Sequence, residues 1–171
     1  MIQEKLLPKG FQWTLEVINE DGSTAEKETE WNLIPASGLG FLIRSPFGDV
    51  PPIPNFYLGL FRGNYIPTPS TTSADIPSNM VEFVDYSEIT RPEWVKALVG
   101  TATFDNLASK AEFTVTQDRT IYGAFLVSDG VKGGNSGLLL SCVRFPTPKT
   151  VTAGQTVKLS GGLTYASASL I

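Results

Sequence analysis

Apolar and polar residues alternate strictly along much of this chain, the pattern of a strand with one buried and one wet face. Phe11, Trp13, Leu15 and Val17 alternate with Gln12, Thr14 and Glu16, and Phe113 and Val115 with Glu112, Thr114 and Thr116. Val157, Leu159 and Leu163 alternate with Lys158 and Ser160. Segments 120–128 and 138–145 are instead apolar on both faces. Ile121, Phe125 and Val127 stand against Tyr122, Ala124 and Leu126, and Leu138, Leu140 and Cys142 against Leu139, Val143 and Phe145. Segment 56–62, Phe-Tyr-Leu-Gly-Leu-Phe-Arg, has the same character and is expected to be central. Strands of this kind need cover on both sides, from the middle of a sandwich or from a partner chain. The block 111–165 is therefore expected to form the folding core.

The punctuation between these runs completes the outline. Asp21-Gly22 is a strong hairpin signal. The return strand, Ser23 to Trp31, sets Ala25, Lys27, Thr29 and Trp31 against Thr24, Glu26, Glu28 and Glu30. A hairpin with one apolar and one charged leg reads as an edge of the fold, its charges discouraging unplanned pairing. Asn32 to Arg44 predicts a helix: Leu33, Ala36, Leu39 or Gly40, and Ile43 share one face, and Pro35 suits the first turn. Two internal glycines weaken it by about 1 kcal/mol each and leave a bent strand as the alternative. Four prolines between Ser45 and Pro54 exclude regular structure there. Gly63 to Asn79 predicts a long loop with a helical turn near Asp75–Pro77, of a length more often functional or partner-covered than idle. Val81–Asp85 reads as a strand, Trp94–Val99 as another apolar stretch, and Thr101–Phe104 as the start of a strand ending at Asp105-Asn106.

The sum is a mainly β protein: an antiparallel β-sandwich or jelly-roll-like fold with at most one or two short helices. Residues 1–10 are expected as an N-terminal arm, 11–165 as one domain with 11–31 its edge hairpin, and 166–171 as a C-terminal tail. A chain of 171 residues can bury such a core without staples.

Composition narrows the chemistry. A net charge of −4 with no Lys/Arg stripe gives no footprint for nucleic acid. Only 18% of residues are charged beside 11% aromatics, which fits a surface partly covered by other protein. The chain has no histidine, which removes Ser-His-Asp and Cys-His nucleophile systems and His-ligated zinc. Its single cysteine, Cys142, sits in an apolar strand and reads as a small buried hydrophobe. No stretch approaches the roughly 18 apolar residues of a membrane span, and residues 1–8 lack a secretory pattern. The expectation is synthesis in a cytoplasm, with no membrane.

Gly133-Gly-Asn-Ser-Gly137 resembles the serine neighbourhood of trypsin-like proteases, but without a histidine base it reads as a turn. Asp75, Glu82, Asp85, Glu88 and Glu93 are the acidic concentration outside the hairpin. Paired carboxylates there would suit calcium or glycan hydrolysis, yet their spacing matches no calcium loop and fits a solvated strand face. No cofactor, metal or catalytic residue is expected. Aromatics between Trp13 and Phe104 fit core and subunit contacts better than a sugar-stacking platform.

Several blocks taken together resemble small virion proteins of tailed bacteriophages. They are Trp31-Asn-Leu-Ile-Pro-Ala-Ser-Gly38, Phe56-Tyr-Leu-Gly-Leu-Phe-Arg-Gly-Asn-Tyr65, Glu82-Phe-Val-Asp-Tyr86 with Thr90-Arg91, and Tyr122-Gly-Ala-Phe-Leu126 followed by Gly137-Leu-Leu-Leu-Ser141. The resemblance implies a non-enzymatic structural component of the particle, tail-associated before capsid-associated, that docks on copies of itself and on other virion proteins. It brings no catalytic residues. A capsid decoration protein is the near alternative, and a glycan- or receptor-binding module, or a hydrolase built on Glu82, Asp85 and Glu88, belongs to another class. Interface residues are expected at Trp13, Trp31, Phe47, Ile53 and Tyr65.

Overall fold

The computed structural model describes residues 3–32 and 34–170, with side chains for 10–32 and 34–165. Nine strands form two antiparallel sheets: β1 (Gln3–Ile18), β2 (Thr24–Asn32), β3 (Tyr57–Phe61), β4 (Ala97–Val99), β5 (Thr103–Asp105), β6 (Ala111–Thr114), β7 (Arg119–Val127), β8 (Leu139–Val151) and β9 (Thr156–Leu170). One sheet runs β2-β1-β9-β5-β4, with β6 beside β5 on the same flank of β9, and the other runs β3-β7-β8. The helix expected after β2 is α1 (Ala36–Arg44), with Pro35 as its N-cap, followed by a 3-10 turn at Ser45–Phe47. Leu33, assigned to that helix from sequence, lies outside the described residues.

The alternating strands build the larger sheet, and their registers sort its two faces. On the outer face Lys27, Glu16, Lys158 and Glu112 lie side by side across β2, β1, β9 and β6, an alternating row of charge. Glu16 bonds Lys110 at 2.6 Å and Lys27 at 2.9 Å, and Lys158 bonds Glu112 at 2.8 Å. The next row is neutral, Thr29, Thr14 and Ser160. On the inner face Phe11, Trp13, Leu15 and Val17 join Val157, Leu159 and Phe113, all fully or nearly fully buried. Against them pack Leu58, Leu60, Ala124, Leu126 and Val143 of the smaller sheet.

Glu26 and Glu28 share the inner face with Val17 and Leu15, because they are their register partners. They point toward β8, where the buried Lys149 meets Glu28 at 2.7 Å and Glu26 at 3.1 Å. Burial pulls Lys149 down, but the hydrogen bonds it donates to Glu28 and Glu26 outweigh it and hold the ammonium above its ordinary range. This bridge closes the gap between the sheets on the β2 side.

The strands that are apolar on both faces form the smaller sheet, and their second cover comes from within the chain. Phe61, Phe125, Val127, Leu139 and Cys142 face away from the larger sheet and pack under Ile76 and Met80. Ile76 belongs to the long loop and Met80 directly follows it, the two spanned by a π turn at Ile76–Met80. Gly123 is required here, since a Cβ at that position would overlap the Phe61 ring and the Val143 carbonyl. The loop expected to be functional or partner-covered is thus itself a lid on the core. β3, expected to be central, ends its sheet instead, and residues 82–94 close its free edge: Phe83 N–H donates to Leu60 O and Trp94 N–H to Phe56 O, both at 2.8 Å. Val81–Asp85, expected as a strand, makes only an isolated bridge, Phe61 to Glu82.

One buried ion pair fixes this second layer. Arg91 donates to both oxygens of Glu82 at 2.8 and 2.7 Å, and to the carbonyls of Asp129 and Gly134 at 2.8 and 2.7 Å. Its guanidinium lies 5.2 Å from the centre of the Phe125 ring. Glu82 also accepts the Gly133 N–H at 2.8 Å. The fork geometry of arginine matches this set of acceptors in a way lysine cannot.

The residues expected as an arm and a tail continue β1 and β9: Gln3–Pro8 pairs with Tyr165–Leu170. Residues 1, 2 and 171 lie outside the described residues.

Two predictions follow from this packing. Glu82→Gln strands the Arg91 charge in the interior and should destabilise the fold by about 3–5 kcal/mol in urea titrations. Glu16 is held below its ordinary value of 4.5 by hydrogen bonds from Lys110 and then Lys27. A depressed carboxylate stabilises the folded state above its unfolded pKa, and that contribution is lost as pH falls through the folded value. Melting temperature should therefore drop on acidification below pH 4.5, and by less in Glu16→Gln than in the unaltered chain.

Candidate docking surface

The larger sheet is wider than the sheet facing it, and the excess falls at β5 and β4. One inner-face row crosses it as Asn32, Phe11, Leu163, Phe104 and Leu98. Phe11 is fully buried, whereas Phe104 is 44% and Leu98 58% exposed. A face that is core at β1 becomes surface at β4.

The partial cover over this overhang comes from α1 and the proline segment after it. α1 lies close on β8 because Gly38 has no side chain to strike the Leu140 carbonyl. Its start is held by Ala36 N–H donating to Pro69 O at 2.9 Å. Between this layer and the sheet runs an open apolar trough of about 230 Å³, lined by Phe41, Leu42, Ile53, Trp94, Phe104 and Leu163 among others. It continues into a cleft of about 540 Å³ between α1, residues 50–53 and Leu138. Phe41, Pro52 and Ile53 line both. Pro51 and Pro52 preset the backbone of the outer wall, so little ordering entropy is lost when something seats there. Trp94 floors the trough, its indole N–H donating to Gly161 O at 2.9 Å. Lys96 Nζ bonds Pro54 O at 2.7 Å and lies 5.8 Å from the Trp94 ring centre, so its charge is tied to the rim. Ile43 and Phe47, on the helix and the following turn, are 65% and 86% exposed.

Of the expected interface residues, Ile53 lies in the trough and Phe47 on the exposed segment beside it. Trp13 offers no surface: its strand turns it into the core, where its indole N–H bonds Ser141 Oγ at 3.3 Å. Trp31 is half exposed but lies on the outer face, opposite Gln12. Tyr65 packs against the second core cluster, its hydroxyl 2.8 Å from Thr71 Oγ1. Phe41, Leu42, Leu98 and Phe104 were not singled out from sequence. For Leu98 and Phe104 the signal was the uncharged run from Ala97 to Phe104, where Phe104 was weighed only among the aromatics as a group; Phe41 and Leu42 carried none beyond the apolar helix pattern.

Four of the five acidic side chains are engaged in structure, at separate places. Glu82 is in the buried pair with Arg91. Asp85 pairs with Arg119 at 2.6 Å, and Glu88 accepts the Thr114 hydroxyl at 2.8 Å. Asp75 accepts from Thr72 N–H at 2.8 Å and Asn79 Nδ2 at 2.6 Å, while Glu93 sits exposed beside Tyr57. No group of three or more His, Cys, Asp or Glu among the described residues is arranged to hold a metal ion. Gly133–Gly137 is a clamped turn: Glu82 holds the Gly133 N–H, Arg91 the Gly134 carbonyl, and Ser73 Oγ donates to Gly137 O at 2.8 Å. The aromatics considered for a sugar platform are mostly interior, with Trp13, Phe56, Phe61, Phe83, Tyr86 and Trp94 all buried.

No protein-family model matches the chain, and no curated protein matches it. No helix among the described residues is long and apolar enough to cross a membrane.

Cys142 lies under the loop lid, where burial pushes its thiol up to about 12. Since the thiolate is the reactive species, a disulfide reagent at neutral pH should label the folded chain only through unfolding. The labelling rate should then rise with denaturant in step with the unfolded fraction.

Proposed function

We propose that this chain is a non-catalytic structural subunit that works by docking on neighbouring proteins. Its setting is the particle of a tailed bacteriophage, in the tail or neck ahead of the capsid lattice. The observation that carries the docking role is the uncovered inner face at β5 and β4, continuous with the trough under α1. A sheet face built for a core gains free energy when a neighbour covers it, at about 25 cal/mol per Å² of apolar surface. Contiguous exposed apolar surface of this kind marks an interaction site. The phage setting is supported by the resemblance of the blocks given above. Those blocks supply the end of β2, the first turn of α1, β3, the middle of β7, the start of β8 and both partners of the Glu82–Arg91 pair. They thus fall mainly in the smaller sheet and in the segment that closes its edge.

The test is the protein content of purified particles of the phage that encodes the chain. The chain should be present in a fixed copy number, about a dozen for a tail or neck position and in the hundreds for a head lattice, as symmetry requires. The variant Phe104→Asp, at a side chain 44% exposed on the overhang, should fold with the melting temperature of the parent and fail to enter particles. Particles that lack the chain altogether would overturn the assignment.

A further inference from the structure

The edges of the two sheets are treated very differently, and one of them stands out. β2 carries Glu26, Lys27, Glu28 and Glu30, so any strand added there meets charge. β3 is closed by residues 82–94, and β6 by Ser87 N–H donating to Thr114 O at 3.0 Å. β8 is broken by Pro146 and Pro148, with Lys149 turned in toward β2. β4 has none of these guards. It is the last strand of its sheet, all three of its residues are exposed, and residues 97–104 contain no charge. Within the body of the sandwich it is the edge left open to pairing.

We infer that β4 pairs antiparallel with β4 of a second copy about a two-fold axis at Leu98, joining the two larger sheets into one. The inference rests on the docking role proposed above and names the occupant. Self-complementarity argues for a second copy. In this register Leu98 faces Leu98 of the other copy, Ala97 faces Val99, and Lys96 faces Gly100, so no like charges stand opposite one another. The same operation on β2 about Glu28 would set carboxylate against carboxylate. At β4 it also extends the inner-face row: Leu163, Phe104 and Leu98 of one copy run into Leu98, Phe104 and Leu163 of the next. The two Leu98 side chains thereby stand side by side on the continuous inner face and bury part of each other. An isologous contact of this kind closes on itself and gives a dimer, where a heterologous edge would give an open fibre. The paired strands are short, so association is expected in the micromolar range, below that of a standard-sized interface.

Sedimentation velocity of the full chain between about 1 and 100 μM should show monomer passing to dimer. Leu98→Lys places two ammonium groups across the axis on an exposed site. It should weaken dimerisation by at least about tenfold while leaving the melting temperature unchanged. Leu98→Asp should do the same, and an equimolar mixture of the two variants should recover the dimer as a heterodimer. That recovery requires residue 98 to face residue 98, which no other interface predicts. A chain that stays monomeric throughout, a dimer indifferent to Leu98→Lys, or a mixture that recovers nothing would each overturn the inference. A monomer that still enters particles would overturn it while leaving the docking role standing, whereas a dimer absent from every particle would do the reverse.

Discussion

The fold depends on the pairing of its first strand with its last. β1 and β9 run antiparallel along most of their length, and the rest of the larger sheet attaches to them, β2 on one flank and β6, β5 and β4 on the other. The inner face of this pair supplies the wall of the core, from Phe11 and Leu163 at one end to Val17 and Val157 at the other. Nearly the whole chain must be looped before this contact forms, so its closure entropy is paid late and folding is expected to be slow. Short hairpins such as β1–β2 and β4–β5 form locally, but neither can bury its apolar face until the spine exists.

From that spine comes the inequality between the layers. β9 is long enough to carry two partners in line on one flank, β6 at residues 156–159 and β5 at residues 162–164. Only the β6 part lies under the smaller sheet. The β5 part, with β4 beyond it, projects past the cover, and α1 with its proline segment reaches only as far as the trough. The exposed Phe104 and Leu98 are thus a consequence of sheet geometry, with the same chemistry as the buried residues in their row.

The smaller sheet solves the opposite problem. Three strands that are apolar on both sides need a second cover, and a single loop of the chain provides it, pinned through Arg91, Glu82 and the 129–134 turn. Removing both charges in favour of well-packed apolar residues need not weaken such a site, but removing one leaves the other stranded. The pair therefore ties two segments distant in sequence, 82–91 and 129–134, into one arrangement. The glycine-rich turn serves the same end, since its backbone groups supply the partners that the buried arginine and glutamate require.

Much of this was legible in the residues. Strict alternation marked β1, β6 and β9, Asp21-Gly22 marked the first hairpin, and Pro35 with Ala36 and Ile43 marked the helix, because each signal is local and arises within a turn or a few successive side chains. The proposed docking surface was legible only in part: Phe47 and Ile53 of the proline-rich apolar stretch lie on or beside it, while Trp13 looked equivalent and proved to be core. Alternation shows that two faces differ, but it does not show which surface lies opposite. The sequence by itself determined the strands, their two-sidedness and the absence of histidine chemistry. Only the tertiary structure decided that Glu82 belongs to Arg91, that the long loop is a lid, and that Phe104 and Leu98 lie beyond the edge of the covering sheet. Those outcomes depend on the relative widths and registers of elements far apart in the chain, and no short window of residues encodes them.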